Sequence, residues 1–489
     1  MTLIKLKDKR TKPKKRSIFK KILPLTLILI LLIFINSLLI PLPDGLAFES
    51  KAYNISDIDF LYDLTYENNN ETIYEQNILD SQLKLIRQAK EFIIIDMFLF
   101  NDLKQSRYDF PNISEKLTNT LIKQKNNNPN INILFITDEI NNFYGSYESK
   151  FLKKLKENDI NVIITDSKKL RDSNPVYTSF WRAFIQWFGV KGQGWIDNAF
   201  SPNGDDVTLR SYMKLLNFKA NHRKVLITEN GAIISSANIH DASGYHSNIA
   251  FKVRGQILKD LINSELSIAK FSENEFDESN YNYSDKNDDP KPSNIKAKII
   301  TEGKIRENLI SEIKNTNLND KITMGMFYLS HRGIIQELID ASNRGVNIKL
   351  ILDPNKDAFG FEKNGIPNRQ VAEELIDKSN NKIDIRWYDT SGEQYHAKIT
   401  LIEKENETVI IGGSANLTRR NIDNYNLESN IMISANPKDK IVFQISRYFN
   451  RIWNNIDGHF TVKYKNYREE NMFKYLLYRF QEWSGMGTF

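Results

Sequence analysis

A strand–helix–strand pattern that occurs twice constrains the fold of this chain more than any other feature. In each copy, two short apolar runs flank a polar segment with the hydrophobic spacing of an amphipathic helix. Strands that are apolar on both faces are typical of parallel or mixed sheets covered by helices. We therefore predict an α/β chain made of two copies of one unit. The first copy is EFIIIDMFLF (91–100), ISEKLTNTLIKQ (113–124) and INILFITD (131–138); the second is KITMGMFYLS (321–330), GIIQELIDASNRG (333–345) and VNIKLILD (346–353).

The domain boundaries follow from composition. Residues 272–294, SENEFDESNYNYSDKNDDPKPSN, are polar, acidic and poor in aliphatic side chains, which is typical of a linker. We therefore assign residues 45–271 to the first half and residues 295–489 to the second. Only the first half carries a long aromatic-rich insert, at about 167–215.

The first forty residues predict a membrane anchor. Residues 1–21 carry ten Lys or Arg against one acid, and residues 22–40, ILPLTLILILLIFINSLLI, carry no charge. A helix of this length crosses about 30 Å of hydrocarbon. A cleaved signal peptide is the competing interpretation, but its apolar region is usually shorter and no A-x-A site follows. We therefore predict a single-pass signal anchor in the cell membrane, with residues 1–21 as a cytoplasmic tail and the body extracytoplasmic.

The aromatic insert offers a second membrane feature. Its segment SFWRAFIQWFGVKGQGW, residues 179–195, carries three Trp and three Phe beside Arg182 and Lys191. Such a segment suits a lipid interface, where aromatic rings settle at the level of the headgroups. Aromatic residues at helical spacing also pack as ordinary core. Trp181 and Trp187 are therefore predicted either at a lipid interface or in the core.

One motif occurs in both halves. It is NHRKVLITENGAIISSAN (221–238) in the first half and YHAKITLIEKENETVIIGGSAN (395–416) in the second. In the first copy, Asn230-Gly231 predicts a tight hairpin turn between two strands. Because residues i and i+2 of a strand share a face, each His is expected beside its Lys, and the returning strand supplies Ser and Asn. The motif residues are His222, Lys224, Ser236 and Asn238, then His396, Lys398, Ser414 and Asn416.

Two such sets facing each other could transfer a phosphoryl group. Two Lys and two Asn would stabilise the charge of the transition state, and we predict substrate contacts for the two Ser. One His could attack phosphorus while the other protonates the leaving oxygen and then activates water or an alcohol. Neither half alone holds all of these parts.

The pair of motifs resembles the signature of the phospholipase D superfamily: His-x-Lys, four residues and Asp, then Gly-Ser and Asn, present twice. The resemblance covers most of residues 55–460. It implies two α/β/α sandwich halves packed together. It also implies cofactor-free, metal-independent cleavage or exchange of a phosphodiester through a phosphohistidine. In the roles it implies, His222 attacks, His396 is the general acid and base, and Glu428 in YNLESNIMI steadies a catalytic His.

The chain departs from the family pattern in three ways. The motif acid is Glu in both copies, Glu229 and Glu403, and we interpret both as structural. The first copy has Ser235 where the second has glycine. At the position that we align with the carboxylate of Glu428, the first copy has His246 in GYHSNIAF, which indicates that the halves do not contribute equally.

The charge distribution and the remaining histidines limit which ligands and partners we expect the protein to bind. The formal charge of +6 belongs to the tail, and residues 22–489 carry a net charge of −3. This disfavours nucleic acid, whose binding needs many Lys or Arg contacts to phosphates. The chain has no cysteine, which excludes disulfides and thiolate-bound metals, and no metal-ligand spacing such as H-E-x-x-H occurs. His240, His331 and His459 have no partner in the pattern and are interpreted as structural or surface residues.

The anchor, the aromatic insert and the weak charge of the body favour a glycerophospholipid substrate. We therefore predict a membrane-anchored phosphodiesterase that hydrolyses or transfers the phosphatidyl group. A cardiolipin synthase-type transferase is an alternative, although such enzymes usually begin with two membrane helices and carry Asp in the motif. A nuclease of the same family is a second alternative, and a non-catalytic lipid-binding relative is disfavoured by the two complete motifs. Because one chain holds both motifs, we expect the monomer to be active, with phospholipid and membrane as its partners.

Overall fold

The computed structural model describes residues 15–104, 109–201, 204–283, 293–358, 361–487 and 489. Most helices follow the amphipathic segments of the sequence and bury one face. In chain order they are α1 (Lys15–Leu39), α2 (Ile78–Gln88), α3 (Ile113–Asn127), α4 (Lys150–Lys156), α5 (Pro175–Phe184), α6 (Leu209–Leu215), α7 (Ile257–Ser272), α8 (Gly303–Lys314), α9 (Arg332–Asn343), α10 (Asn368–Lys378), α11 (Arg419–Ile422), α12 (Lys440–Trp453) and α13 (Met472–Ser484).

The strands form two large sheets and one small hairpin. The central strands of both sheets are almost entirely buried, as their apolar sequences predict. The strands up to the linker are β1 (Tyr53–Asn54), β2 (Ile58–Asn68), β3 (Glu71–Glu75), β4 (Phe92–Met97), β5 (Asn132–Thr137), β6 (Asn161–Ile164), β7 (Lys224–Thr228), β8 (Gly231–Ser235) and β9 (Asn248–Val253). Those after the linker are β10 (Lys296–Thr301), β11 (Lys321–Met326), β12 (Asn347–Leu352), β13 (Asp357–Ala358), β14 (Phe361–Glu362), β15 (Ile383–Tyr388), β16 (Lys398–Glu403), β17 (Thr408–Gly413), β18 (Ser429–Ala435) and β19 (Thr461–Lys463).

Both large sheets repeat one strand order. The first sheet runs β3-β2-β9-β8-β7-β4-β5-β6, and the second runs β1-β10-β18-β17-β16-β11-β12-β15-β19. From β2 to β6 and from β10 to β15 the two orders correspond strand for strand. In each half the last three of these strands are parallel and the others are antiparallel. The predicted duplication of an α/β unit with a mixed sheet is therefore confirmed.

Three hydrophobic clusters hold these elements together. One lies between the first sheet and helices α2, α3 and α4, and another between the second sheet and helices α8, α9 and α10. The third joins the inner faces of both sheets and includes α7 and α12. The two halves thus share one continuous core and pack as a single unit.

A buried ion network also joins the halves. Arg223, the residue between His and Lys of the first motif, is fully buried. Its guanidinium lies 3.0 Å from a carboxylate oxygen of Glu265 on α7 and 2.7 Å from one of Glu302 in the second half. A buried charge is tolerated only when it is paired and hydrogen-bonded. Arg223 therefore fixes the first motif to both halves.

The segment after the membrane helix lies on the second half. We assigned residues 45–271 to the first half, but β1 pairs antiparallel with β10, and Phe48 and Thr301 exchange hydrogen bonds. The backbone of residues 48–54 therefore extends the edge of the second sheet. Periodicity within a segment does not show which sheet edge the segment will join.

Helix α1 contains the predicted anchor. Its stretch Ile22–Leu39 is long and apolar enough to cross a membrane, and most of its side chains are exposed. The less exposed positions, Thr26, Ile30, Ile33, Phe34 and Ser37, lie on one face, and α1 contacts α5 of the insert. Of the predicted basic tail, residues 1–14 lie outside the described residues, as do residues 284–292 of the linker.

The two tryptophans singled out in the insert have different surroundings. Trp181 on α5 is buried, with 4% of its surface exposed, whereas Trp187 after α5 is 74% exposed. Val176, Phe180 and Phe188 are also exposed. The core and interface alternatives therefore apply to different residues of the same segment: Trp181 packs inside, and Trp187 belongs to an exposed aromatic surface beside α1.

Candidate active site

The first motif places His222 two residues before the start of β7. The backbone N–H of His222 donates to the carbonyl of Leu427 in the second half, at 2.9 Å. The ammonium of Lys224 donates to the carbonyl of His222 at 2.7 Å and lies 5.0 Å from the centre of the Phe98 ring. His222 and Lys224 are therefore fixed together, as the strand periodicity predicts.

The second motif repeats this geometry. The N–H of His396 donates to the carbonyl of Ser247 in the first half, at 2.8 Å. Lys398 donates to the carbonyl of His396 at 2.8 Å and lies 5.0 Å from the centre of the Phe327 ring. Each motif is thus hydrogen-bonded to the opposite half, so that neither His222 nor His396 is positioned by its own half alone.

The repeated aspartates at the ends of β5 and β12 position these segments. A carboxylate oxygen of Asp138 accepts from the N–H of Asn221, and one of Asp353 accepts from the N–H of Tyr395, both at 2.7 Å. Asn221 and Tyr395 directly precede the two histidines. This gives a physical reason why both copies of the pattern end in Asp.

Both motifs line one cavity of about 450 Å³. His222 and Asn238 from the first half and His396 and Asn416 from the second lie in its wall. The amide oxygens of Asn238 and Asn416 are buried and have no hydrogen-bond partner in the described part of the chain. Most of the remaining lining is apolar: Phe98, Leu99, Leu103, Ile140, Tyr144, Ala199, Phe200, Leu215, Phe218, Phe327, Tyr328 and Phe489.

A carboxylate lies behind His222. Nδ1 of His222 is 2.8 Å from a carboxylate oxygen of Glu428, which also accepts from the amide of Asn421. The other oxygen of Glu428 accepts from the hydroxyl of Ser414. With Nδ1–H donating to a carboxylate, Nε2 of His222 carries the lone pair that a nucleophile or base needs.

An amide lies behind His396. Nδ1 of His396 is 3.1 Å from Oδ1 of Asn248, and the other amide atom of Asn248, Nδ2, donates to the carbonyl of His246 at 3.0 Å. The hydroxyl of Ser236 donates to Oδ1 of Asn248 at 3.0 Å. Asn248 therefore occupies the place that Glu428 has in the other half.

Comparison with known proteins agrees with this geometry. The family model described as "Cardiolipin synthase, PLD-like domain" matches residues 309–453, which contain the second motif. Residues 309–453 therefore carry a phospholipase D-like domain. The crystal structure of phosphatidylserine synthase from Haemophilus influenzae Rd KW20 superposes with a TM-score of 0.58 at 12% identity, covering 89% of this chain and 95% of that one. No curated protein sequence matches the chain.

Other solved structures resemble the chain less closely. Nuc from Salmonella typhimurium, a phospholipase D family member, has a TM-score of 0.26 at 18% identity and covers 34% of this chain and 97% of its own. Polyphosphate kinase from Porphyromonas gingivalis has a TM-score of 0.42 at 11% identity, covering 83% of this chain and 50% of that one. At these identities a structural likeness concerns the fold alone.

Within this phospholipase D fold, the structure corrects one alignment. We aligned His246 with Glu428, but the backbone N–H of Ile249 donates to Ser236 in the same way that the N–H of Ser429 donates to Ser414. The counterpart of Glu428 is therefore Asn248, two residues later. His246 instead accepts from the N–H of Gln394 through Nδ1, beside His396.

The motif serines also differ from the prediction of substrate contact. Ser236 and Ser414 are completely buried and hydrogen-bonded to Asn248 and Glu428, respectively. They fix the groups behind the two histidines and do not lie in the cavity wall. Their effect on a phosphodiester would therefore be indirect.

The acidic residues of the motif lie far from the cavity. Glu229 directly follows β7, and Glu403 is the last residue of β16. Lys224 and Lys398 lie at the opposite ends of these two strands. Glu229 accepts from the N–H of Lys90 at 2.6 Å, which connects the hairpin to the loop before β4. The hairpin itself turns at Glu229-Asn230, one residue earlier than the predicted Asn230-Gly231 turn, and of these three residues only Gly231 has a positive φ.

The other histidines lie elsewhere, with one exception. His331 caps α9 and His459 pairs with Asp389 at 2.9 Å near the surface. His240, which we interpreted as structural, lines the cavity and contacts the carbonyl of Leu103 through Nε2 at 2.7 Å. Among the described residues, no group of three or more His, Asp or Glu is placed to hold a metal ion.

Burial controls the ionisation of the site. Burial lowers the pKa of His222 to about 4 and that of Lys224 to about 7, although Glu428 acts in the opposite direction on both. Burial and the nearby charge of Lys224 hold the pKa of Lys398 well below its usual range. Burial raises the pKa of Glu428, but His222, Lys224 and Ser414 outweigh it and keep the carboxyl ionised. Such a site favours an anion that restores the positive charge of both lysines.

Sulfate binding is expected to weaken as the pH rises from 7 to 9. A dianion between Lys224 and Lys398 raises the pKa of both, so binding takes up protons wherever the free lysines are already neutral. At pH values above the pKa of Lys224, which is about 7, the Kd should rise by up to about tenfold per pH unit for each proton that is taken up on binding. Titration calorimetry in buffers of different ionisation enthalpy measures both quantities. In Lys398→Met the affinity and the proton uptake should both fall, and a pH-independent Kd in the unmodified protein would contradict the prediction.

Proposed function

We propose that this protein is a membrane-anchored phosphodiesterase of the phospholipase D type that hydrolyses or transfers the phosphatidyl group of glycerophospholipids. The observation that carries the proposal is that a His and an Asn from each half meet at one largely apolar cavity, with Lys224 and Lys398 buried behind it and hydrogen-bonded to the carbonyls of the two histidines. The polar set suits a phosphodiester, and the apolar lining suits the glycerol and acyl portions of a lipid. The match of residues 309–453 to a phospholipase D-like family model supports a phospholipid-related phosphodiesterase or transferase.

In the proposed first step, Nε2 of His222 forms a bond to phosphorus and the P–O bond to the headgroup breaks. His396 gives its Nε2 proton to the departing oxygen. The negative charge of the diester favours the protonated form of His396 and offsets the effect of burial. Lys224, Lys398 and the two asparagines stabilise the charge on the non-bridging oxygens.

In the proposed second step, water or an alcohol gives its proton to His396 while its oxygen bonds to phosphorus. The P–N bond to His222 breaks, and both histidines return to their starting forms. Hydrolysis and transfer therefore use one intermediate and differ only in the acceptor. Cardiolipin synthase-type transfer, in which the acceptor is a second lipid alcohol, is a further candidate because the matching family model carries that description.

The proposed location is the outer side of the cell membrane. Helix α1 supplies the span, and the basic residues before it favour a cytoplasmic N-terminus. The exposed aromatic surface around Trp187, next to α1, would lie at the level of the headgroups. Since one chain carries both motifs, the proposed active form is the monomer.

Assays of the full chain in mixed-lipid vesicles test this proposal. We expect release of headgroups from the vesicles, conversion to phosphatidylethanol when ethanol is added, and no cleavage of plasmid DNA. His222→Ala should abolish these activities, whereas His459→Ala, a change of a surface histidine, should leave them intact. Cleavage of DNA without turnover of lipid would replace the proposal by the nuclease alternative.

A further inference from the structure

The C-terminal helix α13 carries an apolar face that no other part of the described chain covers. Phe473 and Trp483 near its two ends are 73% and 74% exposed. Met472, Leu476 and Phe480 are also at least half exposed and lie on the same side of the helix. A continuous exposed stripe of this kind marks an interaction surface.

The opposite face holds α13 firmly in this orientation. Glu482 accepts from the hydroxyl of Ser330 at 2.7 Å and from the N–H of Arg419 at 3.1 Å. The hydroxyl of Tyr478 accepts from Arg332 at 3.1 Å and donates to the carbonyl of Ser330 at 3.3 Å. Turning the helix inward would break these buried bonds. The apolar stripe therefore faces outward as part of the fold.

We infer that α13 lies in the membrane surface beside α5 and forms a second lipid-contacting element. The inference rests on the membrane location in the proposed function, and it does not rest on the proposed chemistry. A helix of thirteen residues is about 20 Å long, too short to span roughly 30 Å of hydrocarbon. Phe and Trp on one face, with Lys474 and Arg479 nearby in the sequence, are typical of a helix that lies in the interface.

The connection of α13 to the anchor through α5 identifies the bilayer as its occupant. The helix ends at Gly485, whose φ of 72° closes its last turn. Gly485 lies so close to Ser173 that an added Cβ would come within 1.9 Å of the carbonyl oxygen. Ser173 directly precedes the cap of α5, and α5 contacts α1. The apolar face of α13 is therefore connected, through α5 and its exposed Val176 and Phe180, to the helix that lies in the membrane.

The same arrangement connects α13 to the cavity. Phe489, four residues after Gly485, lines the cavity together with His222 and His396. Arg420, also in the cavity wall, donates to the carbonyl of Gly485 at 2.9 Å. With α13 docked on lipid, the cavity lies close to the headgroups of the same leaflet, so that a phospholipid would have a short path to the histidines.

A single fluorescent label tests the inference because the chain contains no cysteine. Leu476→Cys carries an environment-sensitive fluorophore on the apolar face of α13, in the full chain reconstituted into phosphatidylcholine–phosphatidylglycerol vesicles with nitroxide-labelled lipid. Leu318→Cys is the matched control, since Leu318 is a similarly exposed leucine before β11, at the opposite end of that strand from the cavity. We expect nitroxide lipid to lower the fluorescence at position 476 by about twofold or more and to leave position 318 unchanged.

If nitroxide lipid left the fluorescence at position 476 as unchanged as that at position 318, the inference would be overturned. A blue shift at position 476 without quenching, together with a doubled mass in nanodiscs, would also overturn it, because the face would then bind a second copy. The readout needs no turnover, so an inactive protein would refute the proposed function and leave this test intact. If the inference holds, Leu476→Glu with Trp483→Glu should lower turnover of vesicle lipid by about tenfold and preserve cleavage of a water-soluble phosphodiester.

Discussion

Replacing His222 with alanine is expected to reduce phosphodiester turnover by about 10⁴-fold or more, because the change removes the atom that we propose to bond to phosphorus. In the complementary variant, His396→Ala, the reaction should stop at the covalent intermediate. With a substrate whose leaving group needs no protonation, His222 still attacks, but no base remains to activate water. The enzyme should then accumulate a phosphatidyl group on His222, detectable by mass spectrometry of the intact protein and of its peptides.

The location of the trapped group decides the two roles. A phosphatidyl group found on His396 in His222→Ala would reverse the assignment, and the absence of an adduct from both variants would exclude the covalent pathway. His459→Ala is the matched control, since His459 pairs with Asp389 near the surface and does not line the cavity. It should retain normal turnover and show no adduct.

Glu428→Gln is expected to lower kcat by roughly 10²- to 10⁴-fold with little change in stability. The amide is the same size as the carboxylate, but its NH₂ group can donate to Nδ1 of His222. His222 would then hold its proton on Nε2 and present an N–H, in place of a lone pair, to phosphorus. The loss of negative charge also removes the support for a positively charged imidazole.

The rate at which the phosphatidyl group forms on His222 is the decisive readout for Glu428. We expect rapid-quench experiments to show slower formation of the adduct, at an unchanged melting temperature. Glu407→Gln, in the hairpin between β16 and β17 of the same half, is the control and should behave like the unmodified protein. A normal rate of adduct formation in Glu428→Gln would show that the carboxylate does not position His222.

Features that a short segment encodes could be predicted from the sequence. The duplicated strands, the paired His and Lys, and the asparagines of both motifs depend on residue spacing within a single strand or hairpin. Strand periodicity alone places Lys224 beside His222, and the structure has them in that arrangement. The length and apolarity of residues 22–39 similarly indicate the membrane helix.

Features that depend on pairing between distant segments could not be predicted. Asn248 was missed because the loop before β9 places it opposite Ser236, and sequence alignment alone does not show that register. A useful signal was nonetheless present, since Asn248 is the first residue of β9 and Glu428 directly precedes β18. The burial of the motif serines and the contrast between Trp181 and Trp187 likewise arise from tertiary packing.

The pairing of β1 with β10 has a consequence for the order of events during synthesis. Phe48 is made soon after the membrane helix, but its partner Thr301 follows 253 residues later. At about 5–20 residues per second, this interval lasts roughly 10–50 s. During that time the chain next to the membrane has no strand to join, while the first sheet can already assemble. The strand that follows the membrane helix therefore finds its partner only when the second half folds, so this link between helix and body is completed late in the maturation of the protein.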